Sequence, residues 1–253
     1  MKLAYANKNV VVYDDVMDEN AYAALWKWVQ LENYATSHSG SWHKVWHLTD
    51  AQPMMGHEWQ ASKRPWNNGM DICAHYISEI AKHHKDHLGE EGKDWNEVVY
   101  RSYLYARNSK ISWHNDMGYA SAAVFYTHPR WSPQWGGELF VAEVPEKYDL
   151  VTQESGPHLT HDWWDGYLSE RGVGLYIQPK PNRLVLMPAG TWHMINRVDA
   201  DAGDNVRCSI TAFFKKVNHP QAPKPEGDPV MAESVLRADR LADEARQATT
   251  SEG

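Results

Sequence analysis

Cysteine is scarce in this 253-residue chain: Cys73 and Cys208 are the only two. They are too few and too far apart for a disulfide framework or a cysteine-rich zinc site, so reduced thiols are the expectation. Phenylalanine is scarce as well, 4 residues against 13 tryptophans and 13 tyrosines. That imbalance points to aromatic surfaces with a polar edge, as in a pocket, although many of these rings would serve equally as core. Positive charge is short, and the formal net charge is -8 with no Lys/Arg-rich block. The electrostatic footprint of a nucleic-acid binder is therefore missing. Long apolar runs are missing too; nothing approaches the roughly 20 residues of a membrane span. The opening "MKLAYANKNVVVYDD" has neither the apolar core nor the cleavage site of a secretory signal. The expectation is a cytoplasmic protein with no membrane or nucleic-acid partner.

What is present reads as one globular domain over residues 1–216, with a further segment at 217–253. Residues 1–97 form helical and loop support: "VVVY" (10–13) reads as a strand, and the acids before "AYAALWKWVQL" cap a helix. From Gly40 to Gly69 loops and short strands are expected, and from about Met70 to Leu88 the apolar stripe Cys73, Tyr76, Ile77, Ile80 and Leu88 predicts a second helix. From Val98 the pattern turns to strands: "VVYRSYLYA", "AAVFYTH", "GELFVAEV", "GLYIQ", "RLVLMPA" and "RCSITAFFKK", separated by Pro, Gly, Asn and Asp. This is the signature of a sandwich or barrel, interrupted by an insertion at 146–176. After Lys216, a linker-like "NHPQAPKPEGDP" leads into a C-terminal helix with a modest apolar face, available for packing on the body or for pairing as a homodimer.

Two His-x-Asp pairs occur, His84 with Asp86 and His114 with Asp116. The first falls in the predicted helix, where residues i and i+2 do not face each other. The second falls in the strand-rich half, where i and i+2 share a side and both side chains can converge on one ion. His193, 77 residues beyond Asp116, follows a buried-looking strand and a turn marked by Pro188 and Gly190. Two imidazoles and one carboxylate make a facial triad suited to Fe(II) and oxygen. Such chemistry needs two further electrons, which a 2-oxo acid with a distal carboxylate supplies; Arg207 offers a fork for that carboxylate, and Ser209 lies on the same strand face.

The order HxD, GGEL, "PKPNRLVLMPAGTWH" and RxS resembles the Fe(II)/2-oxoglutarate-dependent dioxygenase superfamily, most closely its prolyl-4-hydroxylase-like branch, over roughly residues 98–216. The resemblance implies a mainly β fold with flanking helices (α+β) around a double-stranded β-helix, the jelly roll or cupin-like core. It implies His114, Asp116 and His193 as iron ligands and catalytic residues, and Arg207 with Ser209 as the grip on 2-oxoglutarate, with Tyr105 or Tyr126 beside it. It implies Fe(II), 2-oxoglutarate and O2 as cofactor and co-substrates. A subgroup that replaces the ligand aspartate halogenates its substrates; Asp116 is retained here, so hydroxylation is expected.

The leading reading is therefore a hydroxylase of a small molecule, such as an amino acid, nucleoside or biosynthetic intermediate. A peptidyl or prolyl hydroxylase and a non-catalytic metal-binding jelly roll are the alternatives. His43 and His47 have helical spacing but no third ligand nearby, and the tryptophans around them suit packing. His158 and His161, with Trp163 and Trp164, lie in the insertion, which is expected to form a lid over the substrate. Pro179 and Asn182 are expected to shape a turn, and Gly136 and Gly137 to punctuate a hairpin.

Overall fold

A computed structural model describes residues 1–36, 53–60, 68–116, 118–143 and 172–217. The chain packs as one compact unit over Met1–Val217. His43, His47, His158, His161, residues 146–171 of the expected lid and the expected C-terminal helix lie outside the described residues.

The strands alternate strictly, and this sorts their side chains into two cores. The long strands are β6 (Trp95–Tyr105), β8 (Tyr119–Tyr126), β11 (Leu184–Pro188) and β13 (Arg207–Lys216). They form the centre of a nine-stranded antiparallel sheet, in the order β11, β8, β13, β6. On β13 the even residues Cys208, Ile210, Ala212 and Phe214 join Ala123, Phe125 and Tyr100 in a core that faces the helices. The odd residues point the other way, because successive side chains of a strand take opposite faces. There Tyr105, Val124, Tyr126, Val185 and Met187 meet Ile111, Leu139, Val141, Ile177 and Ile195 of the second sheet. That sheet runs β10 (Gly174–Ile177), β9 (Leu139–Ala142), β12 (His193–Ile195), β7 (Ile111–His114). Two facing sheets with this alternating assignment of consecutive strands make the expected double-stranded β-helix.

Helix α1 (Glu19–Leu31) starts where the Asp18 side chain accepts from the N–H groups of Asn20 and Ala21. It buries Ala21, Leu25 and Val29; full burial of a leucine contributes about 2 kcal/mol. Helix α2 (Gly69–Ala81) is capped by Asn68 and crosses α1 so closely that a Cβ on Gly69 would lie 2.5 Å from the Ala24 carbonyl oxygen. The predicted continuous helix to Leu88 does not form. The chain breaks after Ala81 and resumes as α3 (Lys85–Leu88), because His84 is drawn to the Tyr13 hydroxyl at 2.7 Å and His87 to the Asn7 carbonyl at 2.7 Å. Leu88 is still fully buried.

At the other edge β1 (Lys2–Ala6), exposed throughout and so without a buried face to mark it in the sequence, pairs with β2 (Val11–Asp14), which in turn pairs with β11. Short strands β3 (Ala35–Thr36), β4 (Met54–Met55) and β5 (Trp59–Gln60) extend the sheet beside β6. Of the expected insertion, Gly174–Tyr176 belong to β10. Asn182 takes a left-handed turn (φ 59°), and its carboxamide bonds both the N–H and the carbonyl of Met17, so it fastens the N-terminal segment as well as turning the chain. Cys73 and Cys208 are both buried free thiols. Among the described residues no helix is long and apolar enough to cross a membrane.

Candidate active site

His114 ends β7 and His193 opens β12, and the two stand directly opposite each other across the strand pair. Their ring centroids are 4.3 Å apart. Asp116 lies beyond the end of β7, in a turn closed by the Tyr119 N–H on its carbonyl at 2.9 Å. This corrects the expectation that strand alternation alone aligns it with His114: Asp116 is outside the strand, and its carboxylate lies 3.7 Å from His193 Nε2. One ligand atom from each of the three residues lies within 4.8 Å of the others. Among the described residues this is the one such group of His, Cys, Asp and Glu side chains.

Both imidazoles are set for the same task. His114 Nδ1 is 2.8 Å from the Ser112 carbonyl and His193 Nδ1 is 2.8 Å from the Thr191 carbonyl. A carbonyl only accepts, so each Nδ1 carries a proton and Nε2 is the ring nitrogen left to serve as a metal ligand. That is the second contact by which proteins fix the orientation and tautomer of metal-binding histidines.

Arg207 is fully buried at the inner start of β13. Its Nε donates to the Gly137 carbonyl at 2.7 Å, Nη1 to Ser209 Oγ at 3.4 Å and Nη2 to the Tyr126 hydroxyl at 3.4 Å. The guanidinium carbon sits 4.8 Å from the centre of the Tyr105 ring and 4.9 Å from that of Tyr126, so both tyrosines flank it. Burial pushes both phenols up, with Arg207 pulling them partly back, and they stay protonated at neutral pH. Among the described residues no carboxylate pairs with this cation. A buried charge without a counter-ion is expensive, and an anion supplied from outside relieves that cost. One cavity is lined jointly by His114, Asp116, His193, Arg207, Ser209 and Tyr105.

Several residues here escaped the sequence reading. Tyr103, Thr211 and Phe213 line the same cavity; each is two residues from a recognised position or the next in the row, so strand period alone marks them. Gly137 is more than hairpin punctuation. It has φ 73°, its carbonyl holds Arg207, and a Cβ there would lie 2.8 Å from Arg207 Cδ. His128 lies behind the tyrosines, 6.0 Å from Tyr126 ring to ring. Its Nε2 donates to the Pro179 carbonyl at 2.6 Å and its Nδ1 accepts from the Cys208 N–H at 3.1 Å. It thus braces the strand start that carries Arg207, and burial lowers its pKa to about 4, keeping it neutral. No motif spacing announces it.

No curated protein matches the sequence. Among solved structures, a prolyl-4-hydroxylase from Pseudomonas putida superposes with a TM-score of 0.54 at 14% identity, covering 82% of this chain and 92% of that one. A prolyl hydroxylase from Trichoplax adhaerens, solved with a peptide fragment of the hypoxia inducible factor oxygen degradation domain, gives 0.53 at 12% identity over 83% and 84%. A non-heme alpha-ketoglutarate-dependent carbocyclase from nogalamycin biosynthesis gives 0.52 at 17% over 82% and 79%. At such identities these structures speak for the fold. The family model of the 2OG-Fe(II) oxygenase superfamily matches residues 75–215, more than half of the chain. The fold and the ordered motifs agree with that match: the chain belongs to the 2OG-Fe(II) oxygenase superfamily, enzymes that use Fe(II), 2-oxoglutarate and O2.

Proposed function

We propose that His114, Asp116 and His193 hold Fe(II), that Arg207 with Ser209, Tyr126 and Tyr105 grips the distal carboxylate of 2-oxoglutarate, and that the enzyme hydroxylates an unactivated C–H bond of a small molecule, with release of succinate and CO2. The observation that carries this reading is the buried Arg207 guanidinium, without a carboxylate partner among the described residues, in the cavity shared with the three candidate ligands. The donor set fits the metal: two imidazoles and a carboxylate leave open positions for a co-substrate and oxygen.

When bound, the iron supplies oxygen activation coupled to decarboxylation of the 2-oxo acid. The residues of the chain do the rest. The Ser112 and Thr191 carbonyls fix the two Nδ1–H groups, so that Nε2 of each ring would be the atom that holds the metal. Arg207 fixes one end of the co-substrate by charge-assisted hydrogen bonds, with Tyr126 and Ser209 as further polar partners. Ile111, Val124, Leu139 and Ile195 wall the cavity with hydrocarbon and keep water away from the reacting groups.

The close walls formed by Met55, Tyr103 and Phe213 support a small substrate. The likeness to two prolyl hydroxylases supports a peptide as the second reading. The deciding assay follows succinate formation by Fe(II)-loaded protein with 2-oxoglutarate and O2, against a library of metabolites and of proline-containing peptides. The expected result is stimulation by a metabolite. Stimulation by peptides alone would transfer the reading to a peptidyl hydroxylase, and failure to bind 2-oxoglutarate would end both.

A further inference from the structure

Away from Arg207 the inner face of the large sheet changes character. On β6 the inner row runs Tyr105, Tyr103, Arg101, and on β13 it runs Arg207, Ser209, Thr211, Phe213, Lys215, with Arg101 paired opposite Thr211. A second cation therefore stands at the far end of the row whose near end is Arg207. Two arginines four residues apart on β6 and β13 registers cannot serve one anion: Arg207 pairs with Tyr105, and Arg101 lies four residues along that strand from Tyr105, about 13 Å at the rise of a strand.

Arg101 follows Tyr103 in the inner row and is paired with Thr211, and both of these neighbours line the cavity. Burial pushes the Tyr103 hydroxyl up, so it faces the cavity as a neutral phenol. Tyr119, whose N–H bonds the Asp116 carbonyl at 2.9 Å, stacks on Phe213 of the same row at 4.5 Å between ring centres. The present partner of Arg101 is Glu58: Nη2 donates to its Oε2 at 3.0 Å, and Lys215 Nζ lies 3.6 Å from the other oxygen and 3.2 Å from Glu97. The Glu58 side chain is 46% exposed. An ion pair so open to water adds little to stability and exchanges readily. Its position nonetheless shows that a carboxylate fits there, and a guanidinium fork suits a carboxylate better than a lysine would.

We propose that Arg101 is the anion-binding residue of the substrate site: the substrate is a small molecule bearing a carboxylate, which replaces Glu58 on the Arg101 guanidinium and sets the bond to be oxidised on the Asp116 side of Tyr103. This rests on the functional reading above and adds the chemical class of the substrate to it.

The test uses the full chain loaded with metal and 2-oxoglutarate without oxygen, and measures binding of matched pairs, amino acids and hydroxy acids against their primary amides, by calorimetry or saturation-transfer NMR. Acids are expected to bind about tenfold or more tightly than their amides, the worth of a charge-assisted hydrogen bond. Arg101→Met should remove that preference, Arg101→Lys should keep part of it, and Glu58→Gln should tighten the acids. The Kd for 2-oxoglutarate, measured in every variant, should stay within about twofold and reports an intact fold and clamp. Equal binding of acids and amides, a preference that survives Arg101→Met, or weaker acid binding in Glu58→Gln would overturn the assignment. If 2-oxoglutarate binds and no acid does, this inference falls alone; if 2-oxoglutarate itself does not bind, the functional reading falls with it.

Discussion

The large and small sheets of the β-helix hold their functional groups in different ways. Arg207, Ser209, Tyr105 and Tyr126 sit on strands of 8 to 11 residues, all four essentially buried and each pinned by a neighbouring strand on both sides or by ring contact. His114 and His193 sit at the ends of strands of four and three residues, and Asp116 sits beyond a strand altogether. The small sheet leaves Tyr176 exposed, whereas the central strands of the large sheet are covered by α1 and α2. A cation kept dry needs rigid, fully paired backbone around it, because nothing else compensates the lost hydration. Metal ligands need convergence from separate segments, which strand ends and turns provide. The comparison predicts that damage to the small sheet abolishes chemistry, while damage to the large sheet weakens co-substrate binding.

The largest effect is expected from Asp116→Ala, which should reduce succinate formation to the level of metal-free protein while 2-oxoglutarate still protects the fold against heat. Full activity in that variant would remove the ligand assignment. Next is Arg207→Met: the KM for 2-oxoglutarate should rise about 100-fold, the loss of roughly two charge-assisted hydrogen bonds, yet the ligand-free protein should unfold at nearly the same temperature, because a buried charge without a counter-ion is removed along with the contacts. A large drop in the ligand-free melting temperature would show that the guanidinium is structural.

The smallest effect sharpens the same contrast. His128→Asn should raise the KM for 2-oxoglutarate several-fold with little change in kcat, since it acts only through the strand start that carries Arg207. Its protonation supplies an independent check. The folded pKa of His128, about 4, is below the ordinary 6.5, so the unfolded chain binds the proton first. The contribution to stability is complete above pH 6.5 and is lost as pH falls toward 4, about 3 kcal/mol in all. Urea unfolding at pH 7, 5.5 and 4.5 should show a shallower decline in the variant; equal slopes would contradict this role.

Much of this was legible in the residues. Strand period located the long strands, and HxD, the later histidine and RxS picked out groups that the fold brings into one cavity. The break between α2 and α3 was hidden because it depends on Tyr13 and Asn7, some 70 to 80 residues away in sequence. Strands β7 and β12 are too short for a periodic signal. His128 and Gly137 act through backbone contacts across the fold, and Arg101 reads as an ordinary strand residue until its register beside Thr211 is known.

The two sulfhydryls close the picture from another side. An enzyme that activates oxygen exposes its own side chains to stray oxidants, and a thiol is vulnerable in proportion to its thiolate content and access. Cys208 stands next to Arg207 in the chain, yet burial raises its pKa to about 12, and Cys73, on the buried face of α2, is pushed up as well. Both sulfurs therefore remain protonated and out of reach, so damage from uncoupled turnover should fall on exposed methionine and aromatic side chains before it reaches sulfur in the core.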